Sequence, residues 1–215
     1  MNMQRQHWDE VYTAKAATEV SWYRPHLEIS LALIERFSVG RSEAVIDIGG
    51  GESTLVDDLI LRGRTDISVL DIARTAIEAT KQRLGPLAKQ VEWLVGDICE
   101  VELPPSRYDI WHDRAVFHFL TLPEQRASYV ERAAASVKKN GHIIVSTFGP
   151  EGPTRCSGLD TARYDTATLQ IVFGSQFRLV DNQIEWHATP SGGKQQFLYC
   201  VFERAGSPVP NSAKV

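Results

Sequence analysis

The sequence predicts an α/β protein built on a mostly parallel sheet, and three observations carry that prediction. The apolar run Val45-Ile46-Asp47-Ile48 ends in Gly49-Gly50-Gly51-Glu52-Ser53 and passes into the helical pattern Leu55, Val56, Leu59, Ile60, which reads as a buried strand turning sharply into a helix. Two further apolar runs, 67–71 and 91–97, end in the acids Asp71 and Asp97. Strands and helices alternate from there until two runs, 177–186 and 196–203, joined through Pro190-Ser191-Gly192-Gly193, close the chain as a hairpin.

Length and composition set the frame. At 215 residues the chain is expected to be one domain, 1–205, with residues 1–40 forming an aromatic, helical lid and residues 206–215 a disordered tail. Hydrophobic residues are 43 % and charged residues 23 %, an ordinary globular balance. The apolar runs are strand-sized, far below the ~20 residues of a membrane helix, and the N-terminus lacks a signal peptide's apolar segment. A cytoplasmic protein without membrane association is therefore expected. Cys99, Cys156 and Cys200 are odd in number and form no Cys-x-x-Cys pair, which argues against a disulfide framework or a zinc site. A net charge of −4 lacks the basic surplus of a nucleic-acid binder.

In chain order, Gln6 to Tyr12 and Val20 to Pro25 concentrate Trp8, Tyr12, Trp22 and Tyr23 in a short span. They read as packing over the core, as a wall over a ligand, or as both; an aromatic face also stabilises a cation. Pro25 is expected to open a helix with its apolar stripe on Leu27, Leu31, Ile34 and Phe37, stopped by Gly40. Ser53 or Thr54 caps the helix after the glycine turn. Ala73, Ile77 and Leu84 mark another helix, ended by Gly85-Pro86, and a fourth strand covers 108–113. Thr121-Leu122-Pro123-Glu124 reads as a capping box opening a long helix that closes at Lys138-Lys139-Asn140-Gly141, before a fifth strand at 142–147. The Gly- and Pro-rich stretch 149–159 is expected to be a loop over the site, without helix or strand, and a last helix spans 166–173.

A glycine turn between a strand and a helix makes a cofactor cradle, and Asp71, 20 residues beyond Gly51, has the spacing of a ribose hydroxyl acceptor. An acid before a Gly-rich turn, an acid after strand two and an acid after strand three, in that order, resemble the class I S-adenosylmethionine (SAM) dependent methyltransferases over residues 44–203. Ser53 stands where that family usually has its third spaced glycine. The resemblance implies a Rossmann-like seven-stranded sheet with helices on both faces, SAM as cofactor and S-adenosylhomocysteine as product. It also implies that Asp47, Gly49, Gly50, Gly51 and Ser53 border the methionine and ribose, that Asp71 with Ile72 holds the ribose, and that Asp97 with Ile98 holds the adenine; Trp22, from the aromatic N-terminal span, is expected to wall the cofactor.

Methyl transfer from a sulfonium is an in-line displacement from a good leaving group, so alignment does most of the work and a base is needed only where the acceptor must lose a proton. His112, Asp113, Arg114 and His118 gather after the fourth strand and are the catalytic candidates; each also reads as ordinary packing or pairing. Asp113-Arg114-Ala115 resembles the corresponding step of thiopurine, thiol and tellurite methyltransferases and of some protein-lysine methyltransferases. Arg155, Cys156 and Tyr164 are further residues that a loop over the site would bring near an acceptor. The expected reaction moves the methyl to a small-molecule acceptor, by a monomer or homodimer. A protein-lysine acceptor and a non-catalytic SAM-binding partner protein are the alternatives. A nicotinamide dehydrogenase fits less well, because Thr54 replaces a preferred glycine and no Tyr-x-x-x-Lys pair occurs.

Overall fold

A computed structural model describes residues 3–205; the tail expected at 206–215 lies outside the described residues. Helices α1 (Met3–Ala14) and α2 (Glu28–Arg36) precede β1 (Val45–Ile48), α3 (Leu55–Leu61), β2 (Ile67–Asp71), α4 (Arg74–Leu84), β3 (Val91–Val95) and β4 (Tyr108–Arg114). Then come α5 (Pro123–Ser136), β5 (Val137–Phe148), the short pair β6 (Arg155–Cys156) and β7 (Leu159–Asp160), α6 (Thr166–Phe173), β8 (Phe177–Ala188) and β9 (Lys194–Arg204).

Seven strands form one sheet in the order β3-β2-β1-β4-β5-β9-β8, with β9 antiparallel to β5 and to β8. The first five strands pair in parallel, as fully buried strands such as β1 and β2 favour. Alternate side chains enter two cores. Ile46 and Ile48 join Trp111, Tyr129, Phe117 and Phe173 on one side, while Val45, Leu31, Ile34, Leu55 and Ile77 fill the other. The chain leaves β1 toward β2 on one side and reaches β4 on the other, so a crevice opens at their carboxyl ends, the place where open α/β sheets bind ligands.

Several elements depart from the sequence reading. Helix α2 begins at Glu28, three residues after Pro25, because the Arg24 carbonyl is taken by Thr54 Oγ1 at 3.1 Å and the Arg24 guanidinium by Glu185 at 2.6 Å, which keeps residues 20–27 as a strap. The helix stops at Arg36, ahead of Gly40, where the Phe37 ring packs on His142 and the Ser38 hydroxyl takes the Ile34 carbonyl. Gln125, in place of Glu124, accepts the Leu122 N–H at the start of α5. Helix α5 ends at Ser136 because buried Val137 already pairs with Tyr108, and Asn140, at φ +62°, turns within the strand stretch that follows. The segment 149–159 holds strand after all: β6 and β7 form a tight hairpin through Ser157 and Gly158, both at positive φ. Among the described residues no helix is long and apolar enough to cross a membrane.

Candidate functional site

The ends of β1 to β4 and the N-terminal strap enclose a cleft of about 1210 Å³, measured out to its open mouth. Its floor is the glycine turn. Gly49 and Gly50 both donate their N–H to the Leu70 carbonyl, at 2.7 and 3.2 Å, folding the turn over the end of β2. Gly49 has φ +68° and a Cβ there would run into Val116 Cγ2, so this position needs glycine for conformation and for space. Gly49 and Ser53 border the cleft, whereas Gly50 and Gly51 face protein: a Cβ on Gly50 would lie 2.6 Å from Asp47 Oδ2, and one on Gly51 2.6 Å from Asp71 Oδ2. Ser53 Oγ accepts the Leu55 N–H at 3.2 Å; Thr54 spends its hydroxyl on the strap.

Four carboxylates reach the cleft: Asp47, Glu52, Asp71 and Asp97. Asp71 Oδ1 accepts the Ala73 N–H at 2.7 Å, and burial, reinforced by the neighbouring Asp47, lifts its pKa to about 7. Asp97 Oδ1 accepts the Cys99 N–H at 2.8 Å. Burial also raises Glu52, against the pull of Arg83. Asp47 Oδ2 and Glu52 Oε2 are buried without a hydrogen-bond partner among the described residues, as acceptors that await a donor. Ile72 and Ile98 line the cleft beside their acids.

Aromatic rings roof it. Trp8 of α1 meets Phe119 edge-on at 5.0 Å and Trp22 at 6.0 Å, and Tyr12 meets Trp22 at 6.3 Å. Helix α1 buries no residue of its own and is pinned to α4 by Asp9, which accepts the Thr75 N–H at 3.1 Å and hydroxyl at 2.7 Å.

The four catalytic candidates separate. His112 borders the cleft, yet both ring nitrogens are engaged, Nδ1 with Asp47 Oδ1 at 2.7 Å and Nε2 with Ser30 Oγ at 2.8 Å. Asp113 lies off the cleft, where it accepts the Val116 and Phe117 N–H groups and the Tyr129 hydroxyl, at 2.8 Å. Burial lifts its pKa to about 6. His118 is also off the cleft; its ring stacks on Phe148 at 4.1 Å, Nδ1 accepts the Phe148 N–H, and burial lowers its pKa to about 3. Arg114 borders the cleft, with Nε donating to the Tyr199 hydroxyl at 3.1 Å and Nη1 to the Trp22 carbonyl at 2.9 Å. Of the loop candidates, Cys156 is buried beside Ser21 and Tyr164 in the core against Phe117, while Arg155 is exposed.

Sequence reasoning passed over Glu52, Phe119, Ser30, Tyr199 and Glu185. Glu52 stands inside the glycine stretch and was findable there. Ser30 and Glu185 carry no local signal, because the packing of α2 and the position of β8 in the sheet bring them to this site.

A family model described as a methyltransferase domain matches residues 45–141. A malonyl-[acyl-carrier protein] O-methyltransferase of Anoxybacillus flavithermus is 30 % identical over 139 residues, covering 64 % of this chain and 51 % of that protein. An eEF1A lysine and N-terminal methyltransferase of Mus musculus is 26 % identical over 133 residues, covering 61 % of this chain and 19 % of that protein. The chain thus spans about half of the first relative's length and about a fifth of the second's. Among solved structures, the Burkholderia thailandensis 1,6-didemethyltoxoflavin-N1-methyltransferase with bound 1,6-didemethyltoxoflavin and S-adenosylhomocysteine has a TM-score of 0.69 at 20 % identity, covering 95 % of this chain and 85 % of that one. The structure describing conversion of a disulfide bond into a thioacetal group during echinomycin biosynthesis has a TM-score of 0.76 at 14 % identity, covering 94 % and 93 %.

Proposed function

We propose that the chain is a class I SAM-dependent methyltransferase and transfers a methyl group from SAM to a small-molecule acceptor by in-line displacement. The observation that carries this reading is the convergence of Asp47, Glu52, Asp71 and Asp97 on one cleft floored by the glycine turn and roofed by Trp8, Tyr12 and Trp22. The residues fit the cofactor. SAM offers a sulfonium and an ammonium as cations and hydroxyls and an amine as donors. The unpartnered oxygens of Asp47 and Glu52 and the carboxylate of Asp71 are acceptors, and the aromatic roof suits a cation. Bound SAM supplies an electrophilic methyl on a good leaving group.

In this reading Asp71 and Ile72 hold the ribose, Asp97 and Ile98 the adenine, and Asp47, Gly49 and Ser53 border the methionine end. Gly50 and Gly51 act one step back, letting the turn close on Asp47 and Asp71. Trp22 excludes water, and Arg114 orients the acceptor. The chain contributes alignment more than proton abstraction, since His112 is committed to Asp47 and Ser30 and His118 lies off the cleft. A small acceptor is favoured because α1 and the strap cover the cleft and leave little room for a large partner's surface.

Incubation with methyl-labelled SAM and a cell lysate, followed by separation of small molecules from macromolecules, tests the reading. Label in the small-molecule fraction is expected. Label in a protein band alone would favour a lysine acceptor, as the second relative's name suggests for that protein. SAM binding without any turnover would leave a non-catalytic binder.

A further inference from the structure

Besides the four carboxylates, the cleft is bordered by two cations. Arg24 comes from the strap and Arg114 from the end of β4, and both border the cleft. Between them stands Glu185 of β8, whose Oε1 pairs with Arg24 Nη2 at 2.6 Å and whose Oε2 lies 3.9 Å from Arg114 Nη2. One carboxylate shared by two guanidiniums leaves the trio with a net positive charge. His187 beside it donates Nε2–H to the Ser21 carbonyl at 2.8 Å and is held neutral by burial and by Arg114, so it adds nothing.

Arg114 is built in. Its side chain is only 5 % exposed, and Tyr199 and the Trp22 carbonyl fix Nε and Nη1 while the guanidinium lies 4.7 Å over the Phe197 ring. Its Nη2 has no hydrogen-bond partner among the described residues, and neither does Glu185 Oε2. A buried guanidinium held at two corners, on a residue that borders the cleft, keeps one N–H group without a hydrogen-bond partner, 3.9 Å from Glu185 Oε2, and charge-assisted bonds to an oxyanion are the strong ones.

We propose that the acceptor carries an anionic oxygen group of carboxylate type, seated on Arg114 Nη2, with Tyr199 as the positioning residue that fixes the guanidinium and Glu185 as the counter-charge that limits affinity. This rests on the reading of the cleft as a SAM site and narrows its acceptor. A lysine ammonium would instead meet two guanidiniums. An acceptor that arrives ionised also suits a cleft whose bordering imidazole is already engaged on both nitrogens.

The test is calorimetry on the S-adenosylhomocysteine-loaded protein with malonate and benzoate as anionic probes and benzamide as the uncharged analogue of benzoate. At least one carboxylate should bind, and benzoate at least about tenfold tighter than benzamide, the factor expected of one charge-assisted hydrogen bond. Arg114→Gln should abolish the preference and Tyr199→Phe weaken it, both with S-adenosylhomocysteine affinity unchanged; Glu185→Gln should tighten carboxylate binding. Neither carboxylate binding to a protein that binds S-adenosylhomocysteine normally, or equal affinities for benzoate and benzamide, would overturn the proposal. Loss of S-adenosylhomocysteine binding by the unmodified protein would instead strike the cofactor reading. Tyr199→Phe, a deletion of one hydroxyl, keeps the test open if Arg114→Gln fails to fold.

Discussion

Replacing Asp71 with Asn should remove a pH dependence from SAM binding, and the size of that dependence follows from the site. In the protein without ligand the Asp71 carboxyl is buried next to Asp47 and has a pKa of about 7. Accepting two ribose hydroxyls requires the ionised form, so binding releases the proton that burial retained. Such a carboxyl is ionised in roughly one molecule in eleven at pH 6 and roughly ten in eleven at pH 8, so apparent SAM affinity should rise about tenfold across that interval. The proton taken up by buffer should be visible as a dependence of calorimetric enthalpy on the buffer's ionisation heat. Asp71→Asn should bind SAM about tenfold to a hundredfold more weakly at pH 8, the cost of a charged acceptor, and show a flatter profile. The amino group of SAM titrates equally against both proteins and cancels in the comparison. Folding carries the opposite sign. An acid whose folded pKa is raised from 3.8 contributes stability below about pH 4 and loses it as pH climbs to about 7, a contribution of about 4 kcal/mol. Parallel pH profiles in the two proteins would refute the assignment of Asp71.

Gly49→Ala should weaken SAM binding and lower stability by about 1–2 kcal/mol from its φ of +68° alone, with more from the encounter with Val116. Val116→Ala in the same chain should restore part of both, so strictly additive effects in a double-mutant cycle would contradict the packing argument. His112→Asn should lower the melting temperature by roughly 4–8 °C, about 2 kcal/mol of a buried charge-assisted hydrogen bond, while SAM turnover falls no more than SAM affinity. Unchanged melting with lost turnover would make His112 a catalytic group. Trp22→Ala should reduce turnover more than SAM affinity if the ring, which borders the cleft, closes over the reacting atoms as proposed; equal losses would count against that role.

The legible part of the protein was local. Val45 to Ser53 announces a strand, a turn and a helix, and the acids at 71 and 97 mark the ends of their own strands; each follows from periodicity and glycine chemistry within about ten residues. The terminal hairpin was legible for the same reason. What stayed hidden depends on which strands and helices lie side by side. Nothing near Asp47 says that His112, 65 residues on, will bond it, or that Ser30 will take the other ring nitrogen. Helix ends were misjudged where a distant partner captured the chain: Arg24 by Glu185 before α2, and Val137 by Tyr108 after α5. The same long-range pairings hold the two cations of the cleft, which is why Arg114 could be named from its motif while Glu185 and Tyr199 could not.

A crystal structure of the complex with S-adenosylhomocysteine tests the central claim most directly. The account predicts the ribose hydroxyls on the Asp71 carboxylate, the adenine edge against Asp97 and Ile98, and the sulfur facing the side of the cleft that Arg114 borders. A ligand seated elsewhere, or one in this cleft with its ribose away from Asp71, would contradict it.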